Sequence, residues 1–542
     1  MNPVTQNNII QTVTQTYLDN FTGAVNPTDI EAELLHKTQM AFDAQNAVAG
    51  KGMKWQIPKR LSPYQISQIL LRLYPIKLVM LAGGNQDRDY GVLAMYDPNE
   101  GIYRANENNI HILIRQYDNA ASGRERDDII RTLHEECPQV TGTHDRDLIA
   151  VNNGIFDYKN KVLLPFSPNY VFLTKSRVNY NPGAQNITIH NPDDNTDWDV
   201  ESWMNDLSDD KDIVNLLWEI LGAIIRPNVR WNKSAWFYST TGNNGKGTLC
   251  ELMRNLCGPG SYASIPLEDF GKDFLLEPLL RATAIIVDEN NVGGFIDKAA
   301  NLKAVITNDV IQINRKFKTP IAYQFFGFMV QCLNEMPRVK DKSDSFYRRQ
   351  LFVPFEKCFT GRERRYIKDD YLHRPEILEY VMYKVLNMTY YQLSEPAACT
   401  AALNEYKEFN DSVRQFLHEM LGQCVWDLLP YQFLYDLYKA WFSRNMPSGT
   451  LPNKTTFIDN LNSIIEADPN TEWIPTGRSK NIRPGHRMDD PEPLIIFYQL
   501  NDWKNKLYRG NDPDMICRPL IRATYQGLYR DPKPVPQTGT PC

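Results

Sequence analysis

Lys246 lies in the run Gly242, Asn243, Asn244, Gly245, Lys246, Gly247, Thr248, between the apolar stretch Ala235, Trp236, Phe237, Tyr238 and the helix-like Leu249, Cys250, Glu251, Leu252, Met253. A strand that turns through glycine and asparagine into a helix N-terminus aims consecutive backbone N–H groups and the positive helix end at one point, where a polyphosphate can sit. Lys246 adds a full charge for the terminal phosphates. The pattern G-x-x-x-x-G-K-[ST] is departed from twice: Thr240 stands at the first glycine, and Gly247 where a magnesium-binding hydroxyl is expected. Thr248, one residue later, is the nearest replacement. Read alone, the segment is also compatible with an ordinary Gly/Asn turn carrying a solvated lysine.

Three further groups come later in the chain. The run Ala284, Ile285, Ile286, Val287 ends in Asp288 and Glu289, which predicts a buried parallel strand with two carboxylates at its C-terminal edge, where open α/β sheets bind ligands. One carboxylate can hold a magnesium ion while the second polarises an attacking water. A second apolar run, Phe325 to Leu333, ends in Asn334, Glu335, Met336, Pro337; an amide at that strand end can orient a lytic water. The third group, Arg348 and Arg349, precedes the apolar run Leu351, Phe352, Val353, Pro354, Phe355. In a ring ATPase one of this pair would reach a neighbouring subunit's nucleotide and stabilise transition-state charge.

This order of elements, from Lys246 through Asp288, Glu289 and Asn334 to Arg348 and Arg349, resembles the superfamily 3 helicases, AAA+ ring ATPases of small viruses, phages, plasmids and mobile islands. The poxvirus- and phage-type primase-helicase branch is the most similar. Residues Asn301 to Asp309 resemble that branch's extra motif of a Lys followed by Thr-Gly-Gly-Asp, with Ile306 ahead of Thr307 and Asn308 at the second glycine. Asn334, Glu335, Met336, Pro337 resembles the family's Asn-Glu-x-Pro. Upstream, Asp147 to Asp157 and Leu163 to Pro168 resemble the small domain that precedes the motor. The resemblance spans about residues 90 to 390 and implies ATP and Mg2+ as cofactors, DNA as partner and a homo-oligomer, a hexamer in the family. It assigns Lys246 to the β/γ-phosphates, Asp288 and Thr248 to magnesium, Glu289 to general-base work and Asn334 to the water, with Arg348 or Arg349 as the finger.

Composition bounds the rest. The chain has 542 residues, 42% of them hydrophobic, and a formal net charge of −6, so it is not a globally basic nucleic-acid binder. A ring needs positive charge only along its channel, because counterions are released locally. No apolar run approaches the length of a membrane span, and residues Met1 to Asn20 read as no secretory segment, so a cytoplasmic protein of a bacterial host is expected. Nine scattered cysteines without a C-x-x-C pair suggest reduced thiols and argue against zinc.

The expected architecture is α/β, with an AAA+ P-loop core, an N-terminal α+β domain and a C-terminal winged-helix-like domain. Residues 1–85 read as a helical region of unreadable role, too short and too poor in spaced acids for a fused primase. A small α+β domain is next over 86–185, then an acidic linker with collar-like helices over 186–232. The ATPase is expected over 233–390 and the winged-helix-like domain over 391–542. The linker reading rests on the acids Asp193, Asp194, Asp197, Asp199, Glu201, Asp206, Asp209, Asp210 and Asp212; the helix carrying Leu216, Leu217, Ile220, Leu221, Ile224 and Ile225 fits a collar or the ATPase core equally. Two strand-like runs flank Asn314, Arg315, Lys316, Phe317, Lys318, predicting a hairpin whose Arg315, Lys316 and Lys318 contact DNA. Toward the C-terminus, Leu434, Leu437, Tyr438, Trp441 and Phe457, Leu461, Ile464, Ile465 give two helix faces. The basic segment Arg478, Lys480, Arg483, Arg487 then suggests a wing on duplex DNA. Two functions are compatible with this organisation: a replicative ring helicase, working with a separate primase or polymerase, or an origin-binding initiator that uses ATP as an assembly switch. A P-loop ATPase outside nucleic-acid work is disfavoured by the basic hairpin.

Overall fold

The computed structural model describes residues 5–50, 53–81, 87–291, 295–296, 298–316, 318–446, 451–477 and 479–530, apart from the side chains of residues 295, 318 and 319. The chain divides into two compact units, Met1–Ala402 and Leu403–Cys542.

In the first unit, the helices Gln6–Asp19, Pro27–Val48 and Pro63–Leu73 share one core with the strands and helices after them. Leu34, Ile66, Ile69 and Leu70 pack with Leu78, Leu93, Ile114 and Leu133. The strand Ile76–Met80 lies between Gly91–Asp97, antiparallel, and Gln139–Thr141, parallel. The boundary expected at residue 85 therefore falls inside a single sheet. The reason is that both strands paired with Ile76–Met80 come later in the chain.

The acidic stretch is not an open linker. Ile189–Asn191 and Thr196–Trp198 form a hairpin, and Val200–Asp206 and Lys211–Ile225 are helices. Its acids have local work: Asp199 and Asp210 cap the two helices, Asp209 pairs with Lys357 at 2.8 Å, and Glu201 pairs with Lys384. Eleven of the fifteen residues of Lys211–Ile225 are buried. They pack in the same core as the central sheet.

That central sheet positions the site. Its strands are β1 (Ser234–Tyr238), β2 (Tyr262–Ala263), β3 (Ala284–Val287), β4 (Phe328–Leu333) and β5 (Gln350–Pro354), all parallel and ordered β2-β3-β4-β1-β5. Every residue of β3 and β4 is buried, as near-continuous apolar runs require when both faces of a parallel sheet are covered. Gln331 is the polar exception in β4; its Nε2 donates to the Ile265 carbonyl at 3.0 Å. The helix α1 (Lys246–Cys257) comes after β1 and packs its Leu249, Leu252, Met253 and Leu256 into the core. Val310–Arg315 and Lys318–Gln324 pair as the expected antiparallel hairpin.

The second unit contains the helices Ser412–Met420, Tyr431–Asn445 and Lys454–Glu466, with a three-stranded antiparallel sheet of Leu428–Pro430, Gly527–Tyr529 and Ile474–Pro475. The helix-face residues Leu434, Leu437, Tyr438, Trp441, Phe457 and Leu461 are buried together. The run Leu494–Phe497 is a short helix in the long excursion between the last two strands.

Candidate active site

The turn after β1 adopts the conformation that its residue types allow. Asn243 has φ +52 and Gly245 φ +88, the left-handed region that Asn and Gly tolerate best. A Cβ on Gly245 would lie 2.6 Å from Leu207 Cδ2, so close approach as well as dihedral angle demands glycine here. Asn244, buried, stiffens the turn through Nδ2 to the Thr241 carbonyl at 2.5 Å. The neighbouring segment braces it further: Phe359 N donates to the Asn243 carbonyl at 2.7 Å, and Asn243 Nδ2 to Glu363 Oε1 at 2.9 Å.

Lys246 opens α1 with a relative exposure of 5%, and its Nζ has no hydrogen-bond partner. Burial holds the ammonium below the usual lysine range, and the thiols Cys332 and Cys250 offset this only in part. A buried unpaired cation is costly. Placed at a helix N-terminus on the carboxyl edge of a parallel sheet, it fits a polyphosphate group.

Asp288 and Glu289 emerge from β3 at that edge, both exposed. Arg254 of α1 bridges Asp288 at 2.8 Å and Glu251 at 3.1 Å. Gly247 faces open space, with no atom within 4 Å of an added Cβ. Thr248 lines, together with Asn243 and Gly245 of the same turn, a cleft of about 1100 Å³ bounded by residues 197–207 and 357–369, with Trp203, Leu207, Phe359 and Ile367 among its apolar walls. The two residues expected to share magnesium are thus presented differently: Asp288 toward Arg254, Thr248 toward the cleft. Asp288 has the oxygen chemistry for a hard cation. Asn334 is exposed at the end of β4 and lines a small pocket with Asn290 and Glu335.

Arg348 and Arg349 part company. Arg349 turns back on its own short helix, donating to the Ser345 carbonyl and, at 2.9 Å, to Ser345 Oγ. Its carbonyl accepts from Ser234 N at 2.8 Å, fixing the start of β1. Burial, and then the adjacent Arg348 charge, hold its guanidinium below the usual range. Arg348 is exposed.

At the hairpin, Lys316 is exposed and Arg315 half-buried. The side chain of Lys318, and Phe317, lie outside the described residues. The hairpin base explains the 301–309 motif: Asn308 takes φ +54 and donates from Nδ2 to the Phe325 carbonyl at 2.8 Å, filling a left-handed position otherwise suited to glycine. In the second unit Lys480 lies over the Tyr529 ring at 5.4 Å and Arg483 is exposed, while Arg478 lies outside the described residues.

Sequence reasoning missed Arg254, Asn290 and the cleft walls. Asn290 Nδ2 donates to Gln331 Oε1 and to the Cys332 carbonyl, both at 3.0 Å, and its Oδ1 accepts from Leu267 N at 3.0 Å. It locks the acidic turn after β3 onto β4. Its position directly after Asp288 and Glu289 was a usable signal; Arg254, eight residues into a helix, offered none.

Three segments match known family models. Residues 47–209 match a D5 N-terminal-like family, 237–349 a family of unknown function (DUF5906), and 408–497 a poxvirus D5 protein-like family. The chain is thus similar to D5-type proteins on both sides of the Lys246 sheet. No curated protein matches. Among solved structures, the chain is similar to the A form of the apo NrS-1 C-terminal region at 14% identity and a TM-score of 0.44, over 87% of this chain and 99% of that one. A second apo structure of that region gives 13% identity and a TM-score of 0.41, over 72% and 94%. Among the described residues, no helix is long and apolar enough to cross a membrane.

Proposed function

We propose that the chain is an ATP-dependent DNA helicase motor of a phage, plasmid or other mobile element, working as a homo-oligomeric ring. The observation that carries this reading is Lys246: buried, without a partner and set at the mouth of a left-handed glycine turn. The D5-type segments on either side support a role in viral or phage replication. In this reading Lys246 and the α1 N-terminus bind the β- and γ-phosphates, and the nucleoside lies in the cleft walled by Trp203, Leu207 and Phe359. Asp288 would hold Mg2+, which supplies charge neutralisation on the phosphates. Glu289 accepts a proton from water that Asn334 orients, and Arg348, exposed where Arg349 is tied down, serves the neighbouring subunit. The hairpin cations grip DNA phosphates.

The test is ATP hydrolysis and fork unwinding, with and without single-stranded DNA, for the wild type and Lys246→Ala. DNA-stimulated hydrolysis with unwinding, abolished in the variant, is expected. A second reading, an origin-binding initiator that uses ATP as an assembly switch, is favoured by one observation: Gly247 supplies no hydroxyl and Thr248 lines the cleft instead. ATP-dependent oligomers on duplex DNA without unwinding would select it.

A further inference from the structure

Arg254 lies about two turns along α1 from Lys246, on the helix whose N-terminus faces the phosphate site. Its side chain is half-buried, and its two terminal nitrogens serve different elements. Nη1 donates to Glu251 Oε2 at 3.1 Å, within α1. Nη2 reaches across to the end of β3 and meets Asp288 Oδ2 at 2.8 Å. Glu251 is itself held from the far side, its Oε1 lying 3.6 Å from His373 Nε2. A guanidinium spans two carboxylates in this way because its donors diverge from a rigid plane; a lysine ammonium on a flexible stem has no such fork.

The orientation of Asp288 matters more in this chain than a complete phosphate loop would require. Gly247 brings no hydroxyl, and Thr248 lines the cleft, so a cation that arrives with a nucleotide depends more heavily on the carboxylate. Asn290 fixes the backbone of the acidic turn to β4, but a backbone tie leaves the aspartate side chain free to rotate. Arg254 removes that freedom: it engages Oδ2 and leaves the other oxygen for a cation. Carboxylates that hold metals are as a rule hydrogen-bonded in their turn, and those partners set metal affinity.

We propose that Arg254 is a positioning residue for Asp288, orienting from α1 the carboxylate that would hold the nucleotide's Mg2+. It ties the helix that faces the phosphates to the strand that carries the acid, where the loop itself supplies no hydroxyl. The inference rests on the reading of Asp288 as the magnesium ligand.

The test measures metal and nucleotide separately. Mn2+ takes the same hard oxygen ligands, and the loss of its free EPR signal reports binding to the full chain with a non-hydrolysable ATP analogue. A fluorescent ATP analogue in EDTA reports the phosphate site alone. Arg254→Gln should weaken Mn2+ binding by about tenfold to a hundredfold, the scale of losing the partner of a metal ligand, and leave metal-free nucleotide binding unchanged. Glu251→Gln, which keeps the Asp288 contact but loosens the other end of the fork, should weaken Mn2+ by less, and it carries the test if Arg254→Gln does not fold. Wild-type Mn2+ affinity in both variants would overturn the proposal. So would tighter Mn2+ binding in Arg254→Gln, which would make the arginine a competitor of the cation, or an equal loss of metal-free nucleotide binding, which would make it a packing element of α1. Asp288→Asn separates the two readings. If it leaves Mn2+ affinity unchanged, Asp288 is not the ligand and both fail; if it weakens Mn2+ while Arg254→Gln and Glu251→Gln do not, only the positioning role fails.

Discussion

Lys246 and Lys316 are both lysines at the end of a turn, yet they inform about ligands to very different degrees. Lys246 is enclosed, unpartnered and held below its usual pKa range by burial. Lys316 stands in solvent on a hairpin tip. An exposed cation costs nothing to keep, so its presence alone says little about what it meets. A buried one without a counter-charge is retained at the expense of stability, and the helix N-terminus around it admits an anion as partner. The arginine pair is ordered differently: Arg349 is tied to Ser345, which leaves the exposed Arg348 as the one available to a neighbouring subunit.

The arginine pair offers the largest effect with which to break this comparison. An arginine supplied to a neighbour's nucleotide is worth about a thousandfold to a hundred-thousandfold in rate. Arg348→Ala should therefore nearly abolish hydrolysis while the melting temperature stays within experimental scatter. Arg349→Ala should instead lower the melting temperature, because the side-chain bonds to the Ser345 carbonyl and Oγ are lost. Reversed phenotypes in paired hydrolysis and thermal-melting measurements would show that exposure misidentified the finger.

Lys246→Met should cut hydrolysis by at least about a hundredfold, the scale of losing one charge-stabilising group. It should also make the apo protein more stable, by about 1–3 kcal/mol, because an unpaired buried charge is removed. ATP should raise the melting temperature of the wild type and leave that of the variant unmoved. The pH dependence has a definite sign. A lysine whose folded pKa is depressed binds its proton less tightly in the native state than in the unfolded one, so its penalty shrinks as pH rises from the depressed folded value toward 10.5. The stability gap between Lys246→Met and wild type should accordingly narrow in alkaline buffer, as followed by urea unfolding.

Asn290→Ala tests the rigidity of the enclosed side. It leaves Leu267 N and the Gln331 amide oxygen without their partner, at a cost of about 2 kcal/mol in urea midpoint analysis. Hydrolysis should fall with it as the acidic turn loosens. Asn290 also shows what a sequence hides. The strands, the turn and the acids were legible because each obeys a local rule: an apolar run, a glycine-rich turn, a charge at a strand end. Asn290 and Arg254 act across the fold, between β3 and β4 and between α1 and β3; Asn290 is marked only by its place directly after the two acids, and no local pattern marks Arg254. The acidic stretch misled for the converse reason: its charges suggested solvent, while two of them cap its own helices and others pair with Lys357 and Lys384 far along the chain. Trp198, Val200 and Met204 within it belong to the central core.

The exposed side of the comparison is sharpened by the smallest effect. Lys316→Ala with Lys318→Ala should weaken single-stranded DNA binding only modestly at physiological salt, because surface phosphate contacts are screened. The diagnostic quantity is the slope of log affinity against log salt, which falls by about 0.7 for each single-strand phosphate that is no longer neutralised. A slope reduced by about 1.4, twice that increment, would place both lysines on phosphates, and an unchanged slope with unchanged DNA-stimulated hydrolysis would remove the hairpin from the DNA path. Since Lys316 stands in solvent, its replacement alone should leave the melting temperature unmoved. A change in slope for that single variant then reports ligand binding, the information that exposure by itself could not supply.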